Sequence, residues 1–338
     1  MSTRHAVPAH ERDTGPALRR PVLTERWRRA DEDLLFGPSA IAPLGDGLVL
    51  LVDECRHGLV VVDEQGRLVR RLGREGAEPG AFRYPTHAAA DGHGGAWVTD
   101  RWNHRVQHLT PTGEVLATFG RYGRAPGEFN EPWGIAVLDD GRLVVADRSN
   151  HRLQVFTGGG ELVATFGRGG YDRTHYEGRG FKNGYIYRWW LALSNRFRYH
   201  DTLFREQGYS LGTFECPQGL VAVSGDRVLI ADPGVGAVLV CSLATGEVEP
   251  LLTFNGLGVA PTNVCALGDG LVAAVADAGC ALCLLDEHGG SRFTDVPGIE
   301  HLTACAPGPD STLWCLDGWN SRLVCYELAF APEDEEAS

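Results

Sequence analysis

Two histidines, two arginines and a set of tryptophans stand at matching places in this chain, and their chemistry is that of holding a small molecule and moving a proton. His87 and His301 lie near the starts of two strand-like runs; a neutral imidazole near pH 7 exchanges protons or ligates a metal. Arg101 and Arg148 each follow an aspartate that ends a short apolar run, and a guanidinium fork suits a carboxylate or phosphate. Trp102, Trp133 and Trp319 offer faces for stacking, while Gln218 and Asn263 bring amides to equivalent strand starts. Arg188, Trp189 and Trp190 belong to a basic, aromatic segment further along. Together these predict a small anionic or aromatic ligand and a lyase- or cyclase-like reaction, either acid–base or assisted by a divalent metal. No Ser-His-Asp order, phosphate loop or dinucleotide fingerprint is present, which disfavours nicotinamide or flavin redox chemistry.

A repeat positions these residues. An aspartate closes a short apolar strand at Asp53, Asp100, Asp147, Asp232, Asp277 and Asp317. After three of them an Asn-x-Arg tripeptide opens the next strand, at Asn103-His104-Arg105, Asn150-His151-Arg152 and Asn320-Ser321-Arg322. Successive aspartates are 47, 47, 85, 45 and 40 residues apart. Four of these steps match propeller blades of ~40–50 residues, and the long one is a blade plus an insertion. Each copy parses into four short strands divided by Gly, Pro or Asp turns, for example 87–90, 95–99, 105–109 and 114–119. A four-stranded sheet cannot cover both of its faces alone, and six stacked about an axis can. The fold is therefore predicted as all-β, a six-bladed β-propeller. The sixth copy lacks a fourth strand and residues 22–27 read as a strand without a partner, so pairing the two would close the ring. The propeller is placed at residues 21–330, with disordered tails at 1–20 and 331–338.

Antiparallel connectivity puts strand starts, the residues after each aspartate and the blade-to-blade crossings on one face, the mouth. The first-strand column reads Ser39/Ala40, Thr86/His87, Trp133/Gly134, Gln218/Gly219, Thr262/Asn263 and Glu300/His301, which predicts that His87 and His301 converge near the axis. The insertion, residues 168–209 between blades three and four, should emerge on the same face. Apolar residues at 186, 190, 193 and 197 predict a partly helical segment. It carries eight cations against four acids over residues 168–207 and is read as a lid over a pocket or as a plug. The repeat aspartates are read as structural acceptors for turn amides or the Asn-x-Arg pair.

Ahead of the first strand, Gly-x-Phe-x-x-Pro recurs at Gly80/Phe82/Pro85, Gly127/Phe129/Pro132 and Gly212/Phe214/Pro217. With the Asn-His-Arg copies, this resembles the NHL-repeat family over roughly residues 31–326. Among NHL-type propellers, the peptidyl-hydroxyglycine amidating lyases hold a zinc in the channel through histidines that follow the first-strand proline. Those positions here read Thr86, Trp133, Gln218, Thr262 and, in blade six, Glu300. Arg148 and Trp102 do occupy slots that the family fills with an arginine and an aromatic residue. The resemblance thus implies a site at the mouth and does not imply the amidating reaction. It also keeps two other readings open, a non-catalytic interaction scaffold with a protein partner and an RNA-binding propeller.

The formal charge of −13 disfavours nucleic acid and anionic membranes as partners. No run approaches the ~18 apolar residues of a membrane span, and a cytoplasmic protein is expected. Eight of nine cysteines fall between Cys216 and Cys325 and read as small buried hydrophobes. Cys280-x-x-Cys283 has metal or redox spacing but no second pair at finger distance.

Overall fold

The computed structural model describes residues 18–30, 34–167, 214–223, 225–254, 260–276, 281–286 and 290–331. Six four-stranded antiparallel sheets stand around one axis. Blades one to five are each built from four consecutive strands. The inner strands are Pro38–Gly45, Pro85–Ala90, Pro132–Val137, Leu220–Val223 and Pro261–Gly268. Each packs beside the inner strand of the next blade, and the inner strand of blade six, Leu302–Pro307, returns to that of blade one. Clusters such as Ala136, Val144, Leu153, Leu220, Ile230 and Leu239 fill the layers between blades. Burying both faces of every sheet explains the near-continuous apolar runs of the second and third strands, for instance Leu143–Asp147 and Arg152–Phe156, which are buried throughout.

The ring closes as the sequence predicts. Pro21–Arg29 is the outer strand of blade six and pairs antiparallel with Arg322–Phe330, from Pro21 opposite Phe330 to Arg29 opposite Leu323. Within the expected tail of residues 1–20, Leu18 packs against the layer between blades five and six, and its carbonyl accepts from Arg292 at 2.9 Å. Deleting residues 1–30 would leave Arg322–Phe330 as a bare edge. That variant is expected to be insoluble or to melt far below the parent, whereas deletion of residues 1–17 should leave the melting temperature unchanged. Equal melting of all three proteins would refute closure by this strand.

Register corrects two sequence assignments. In five blades the first-strand residue that opens the pairing lies 15 residues before its partner: Pro38 with Asp53, Pro85 with Asp100, Pro132 with Asp147, Pro261 with Ala276 and Leu302 with Asp317; in blade four the pairing opens later, at Leu220 opposite Ile230. Blade five therefore has Ala276 where an aspartate was expected, and Asp277 lies outside the described residues. In blade six Leu302 takes the place of the proline, so the column there is Thr303/Ala304. His301 falls one residue before the strand, beside Tyr84 and Glu131 in register, and is not aligned with His87.

The helical segment, Arg188, Trp189, Trp190 and Cys280 also lie outside the described residues. Among the described residues, no helix is long and apolar enough to cross a membrane.

Candidate functional site

The repeat aspartate builds the rim. Asp147 accepts from the Asn130 amide (2.7 Å), Asn150 Nδ2 (2.8 Å), Arg152 Nε (2.7 Å) and Gln154 Nε2 (3.1 Å). Asp100 repeats the set with Arg83, Asn103, Arg105 and Gln107. Arg152 also donates to the carbonyls of Arg124, Ala125 and Glu128, tying the incoming crossing to the blade. Burial pushes both carboxyls above their ordinary range against the pull of these donors. The aspartates are structural acceptors of both kinds expected, turn amides and the Asn-x-Arg side chains.

After the aspartate, blades one to three make one 3-10 turn each, Glu54–Arg56, Arg101–Asn103 and Arg148–Asn150. Each turn ends on a left-handed histidine: His57, His104 or His151. These rings join blades. His57 Nδ1 accepts from the Tyr84 amide at 3.0 Å, His104 Nδ1 from the Glu131 amide at 3.1 Å, and His151 Nδ1 meets the Glu215 carbonyl. At the first two of these joints the histidine thus holds the residue that immediately precedes the next inner strand, Tyr84 or Glu131.

Three turns of one geometry deliver Glu54, Arg101 and Arg148 to equivalent slots, and the second staple, from His104, holds Glu131 among them. Arg101 Nη2 and Arg148 Nη1 both donate to Glu131 Oε2, at 3.0 and 3.1 Å, and Ser149 Oγ donates at 3.3 Å. Glu54 Oε1 lies 3.8 Å from Arg101 Nη1. Both guanidiniums lie over the Trp133 ring, 4.6 and 4.9 Å from its centroid. Burial alone would push the Glu131 carboxyl up; the two guanidiniums outweigh it and hold the group below its usual range. Arg101 Nε is buried without an acceptor among the described residues. Beside the cluster, Cys216 faces Arg148, and Gln218 Nε2 lies 3.8 Å from its sulfur; burial pushes that thiol up.

The remaining candidates divide between rim and channel. Trp102 is exposed and packs on Tyr84 at 4.3 Å, and Tyr84 in turn packs edge-on against His57. Trp319 is exposed and stacks flat on His301, centroids 5.0 Å apart and planes 1° apart. His87, by contrast, is buried below the mouth, where its ring contacts the Asn263 side chain and the Ile135 carbonyl. Asn263 belongs to blade five, opposite blade two in a ring of six, so this contact crosses the channel. Burial lowers the His87 pKa to about 4, which keeps the ring neutral. His87 and His301, expected to share one column, occupy different register positions: His87 lies within the inner strand of blade two and His301 one residue before that of blade six.

Sequence reasoning left Glu131 out of the site and gave Glu54 no role. The residue immediately before the strand-opening proline is the signal for the first. Position after the aspartate, shared with Arg101 and Arg148, is the signal for the second.

No zinc site of the amidating-lyase kind fits here. The positions after the strand opener are Ser39, Thr86, Trp133, Gln218, Thr262 and Thr303, and the Thr86 hydroxyl donates to the Trp133 carbonyl at 3.0 Å. Among the described residues, no three His, Cys, Asp or Glu side chains converge as a ligand set.

Residues 82–109 and 129–156, blades two and three with their identical aspartate networks, match the NHL repeat family. The chain is a six-bladed β-propeller that contains NHL repeats. No curated protein matches its sequence. Solved structures similar to this NHL propeller include virginiamycin B lyase from Staphylococcus aureus, with 11% identity over 92% of this chain and 100% of that one and a TM-score of 0.58. A catalytically inactive histidine-to-alanine variant of that lyase, solved with quinupristin, is similar at 12% identity over 92% and 99% of the two chains, TM-score 0.56. A gluconolactonase from Xanthomonas campestris is similar at 13% identity over 94% and 99%, TM-score 0.60. At these identities the likeness is one of fold.

Proposed function

We propose that this NHL propeller is a small-molecule-processing enzyme whose site is the mouth, centred on Trp133 and the Arg101–Glu131–Arg148 cluster. One observation carries the reading: two guanidiniums share a single carboxylate oxygen over a partly exposed indole, where the inner strands begin. Charged groups gathered and desolvated in a concave opening are the usual mark of a site. Glu131 and Glu54 offset the charges of Arg101 and Arg148, so the cluster suits a neutral or aromatic ligand that gains negative charge during reaction. The guanidiniums would then stabilise a developing oxyanion. His301, held flat by Trp319 on the same rim, would exchange the proton in a lyase- or cyclase-like step. Trp102 and Trp133 would hold the apolar part of the ligand, and Gln218 would supply an amide. His87 and Asn263 form the floor. The similar folds that perform lyase and lactonase chemistry add support at the level of reaction class.

The test is turnover of a panel of sugar lactones and cyclic depsipeptides, beginning with gluconolactone and quinupristin. Arg101→Met is expected to reduce turnover by ~10²–10³-fold, the cost of removing one oxyanion donor. Absence of both turnover and saturable binding across the panel would remove the enzyme reading. A scaffold reading draws on exposed Phe36, Trp102 and Trp319 around the same rim; it would be favoured if Trp102→Ala and Trp319→Ala abolished a protein contact while no small molecule bound.

A further inference from the structure

The six joints between blades share one layer near the axis. Counting Pro38, Pro85, Pro132, Pro217, Pro261 and Leu302 as first, the fifth residue of each inner strand shares a core cluster with the fourth of the next. At five joints both members are aliphatic: Ala42 with Ala88, Ala89 with Ile135, Ala136 with Leu220, Val221 with Val264, and Ala306 with Ile41. At the joint between blades five and six both are cysteines. Cys265 Sγ lies 3.1 Å from Cys305 Sγ, closer than an ordinary non-bonded contact between sulfur atoms. Cys305 is buried, and Cys265 is partly exposed.

We propose that Cys265 and Cys305 form an oxidant-responsive disulfide that staples blades five and six beside the channel. Backbone geometry favours it, because the two inner strands already run side by side and Asn263 Nδ2 reaches the Thr303 carbonyl at 3.4 Å. The sulfurs already stand 3.1 Å apart, a short approach from the ~2.05 Å of a disulfide bond. With hydrogen peroxide as oxidant, the accessible Cys265 thiolate attacks the O–O bond, becomes a sulfenic acid and releases hydroxide, which takes up the thiol's proton to give water. Cys305 sulfur then attacks Cys265 sulfur. The S–O bond breaks, the S–S bond forms, and the departing hydroxide leaves as water with the Cys305 proton. Two thiols lose two electrons, and one peroxide becomes two waters.

The cross-link closes a chain loop of about 40 residues, and such loops restrict the unfolded chain strongly. The test treats the reduced full-length protein with stepwise hydrogen peroxide, followed by peptide mapping under non-reducing conditions and by melting. The expected result is a linked peptide joining Cys265 and Cys305, reversed by dithiothreitol, with a melting temperature higher by roughly 4–10 °C. Cys265→Ser, a change at a partly exposed position, should fold and lose that rise. Three outcomes would overturn the proposal: Cys265 ending as a sulfinic acid while Cys305 stays alkylatable, a linked peptide joining Cys305 to its cross-strand neighbour Cys315, or the same rise in Cys265→Ser.

Discussion

Replacing Arg152 by methionine is expected to destabilise the protein by about 3–5 kcal/mol, the usual cost of leaving a buried carboxylate without its cation. Asp147 is fully buried and would lose its 2.7 Å partner, while three carbonyls of the crossing would lose their donor. The equivalent aspartate of blade one should respond in the opposite way. Asp53 has Gly58 and Val60 where Arg152 and Gln154 stand in blade three, its buried Oδ1 has no hydrogen-bond partner among the described residues, and burial pushes its carboxyl up to about 6. A raised pKa means that folding favours the protonated form. That contribution is complete below the unfolded value near 4 and is lost as pH rises through about 6. Asp53→Asn should therefore stabilise the protein by about 1–3 kcal/mol at pH 8, given ~1.4 kcal/mol per pKa unit, and give no gain at pH 4. Urea unfolding of both variants at the two pH values checks this. A loss at pH 8 for Asp53→Asn similar to that of Arg152→Met would show that Asp53 is ionised and satisfied.

His301→Ala is expected to lower turnover by ~10²–10⁴-fold with little change in melting, as befits a proton carrier on a partly exposed rim. His87→Ala should do the reverse. It opens a void under the mouth and strips Asn263 of its cross-channel contact, so stability should fall by about 2–4 kcal/mol while activity per folded molecule persists. Melting and turnover measured on the same two variants separate the roles. If His87→Ala kept its stability and lost activity, the channel ring and not the rim ring would be the acid–base group.

Architecture was legible because propeller blades are written in local sequence. Asp100 and Asp147 recur with the same Asn, Arg and Gln at the same offsets, and all of those contacts lie within one blade or its incoming crossing. Ring closure was legible for a similar reason, since a blade short of one strand and a strand without a blade can be matched by counting. Register was less so. Blade five lacks the aspartate and blade six lacks the proline, and aligning on whichever letter remained moved His301 out of its true position. The constant 15-residue spacing would have corrected it.

By itself, then, the sequence determined the number of blades, the strand that closes them and the face on which chemistry-bearing residues emerge, because each follows from periodicity and antiparallel alternation. Tertiary structure alone decided which of those residues meet. Glu131 joins Arg101 and Arg148 only when blades two and three are set side by side. His87 finds Asn263 only across the axis, and Cys265 finds Cys305 only at one joint of six. Contacts between blades depend on how neighbouring sheets stack and twist about the axis, and no spacing within a single repeat encodes that distance.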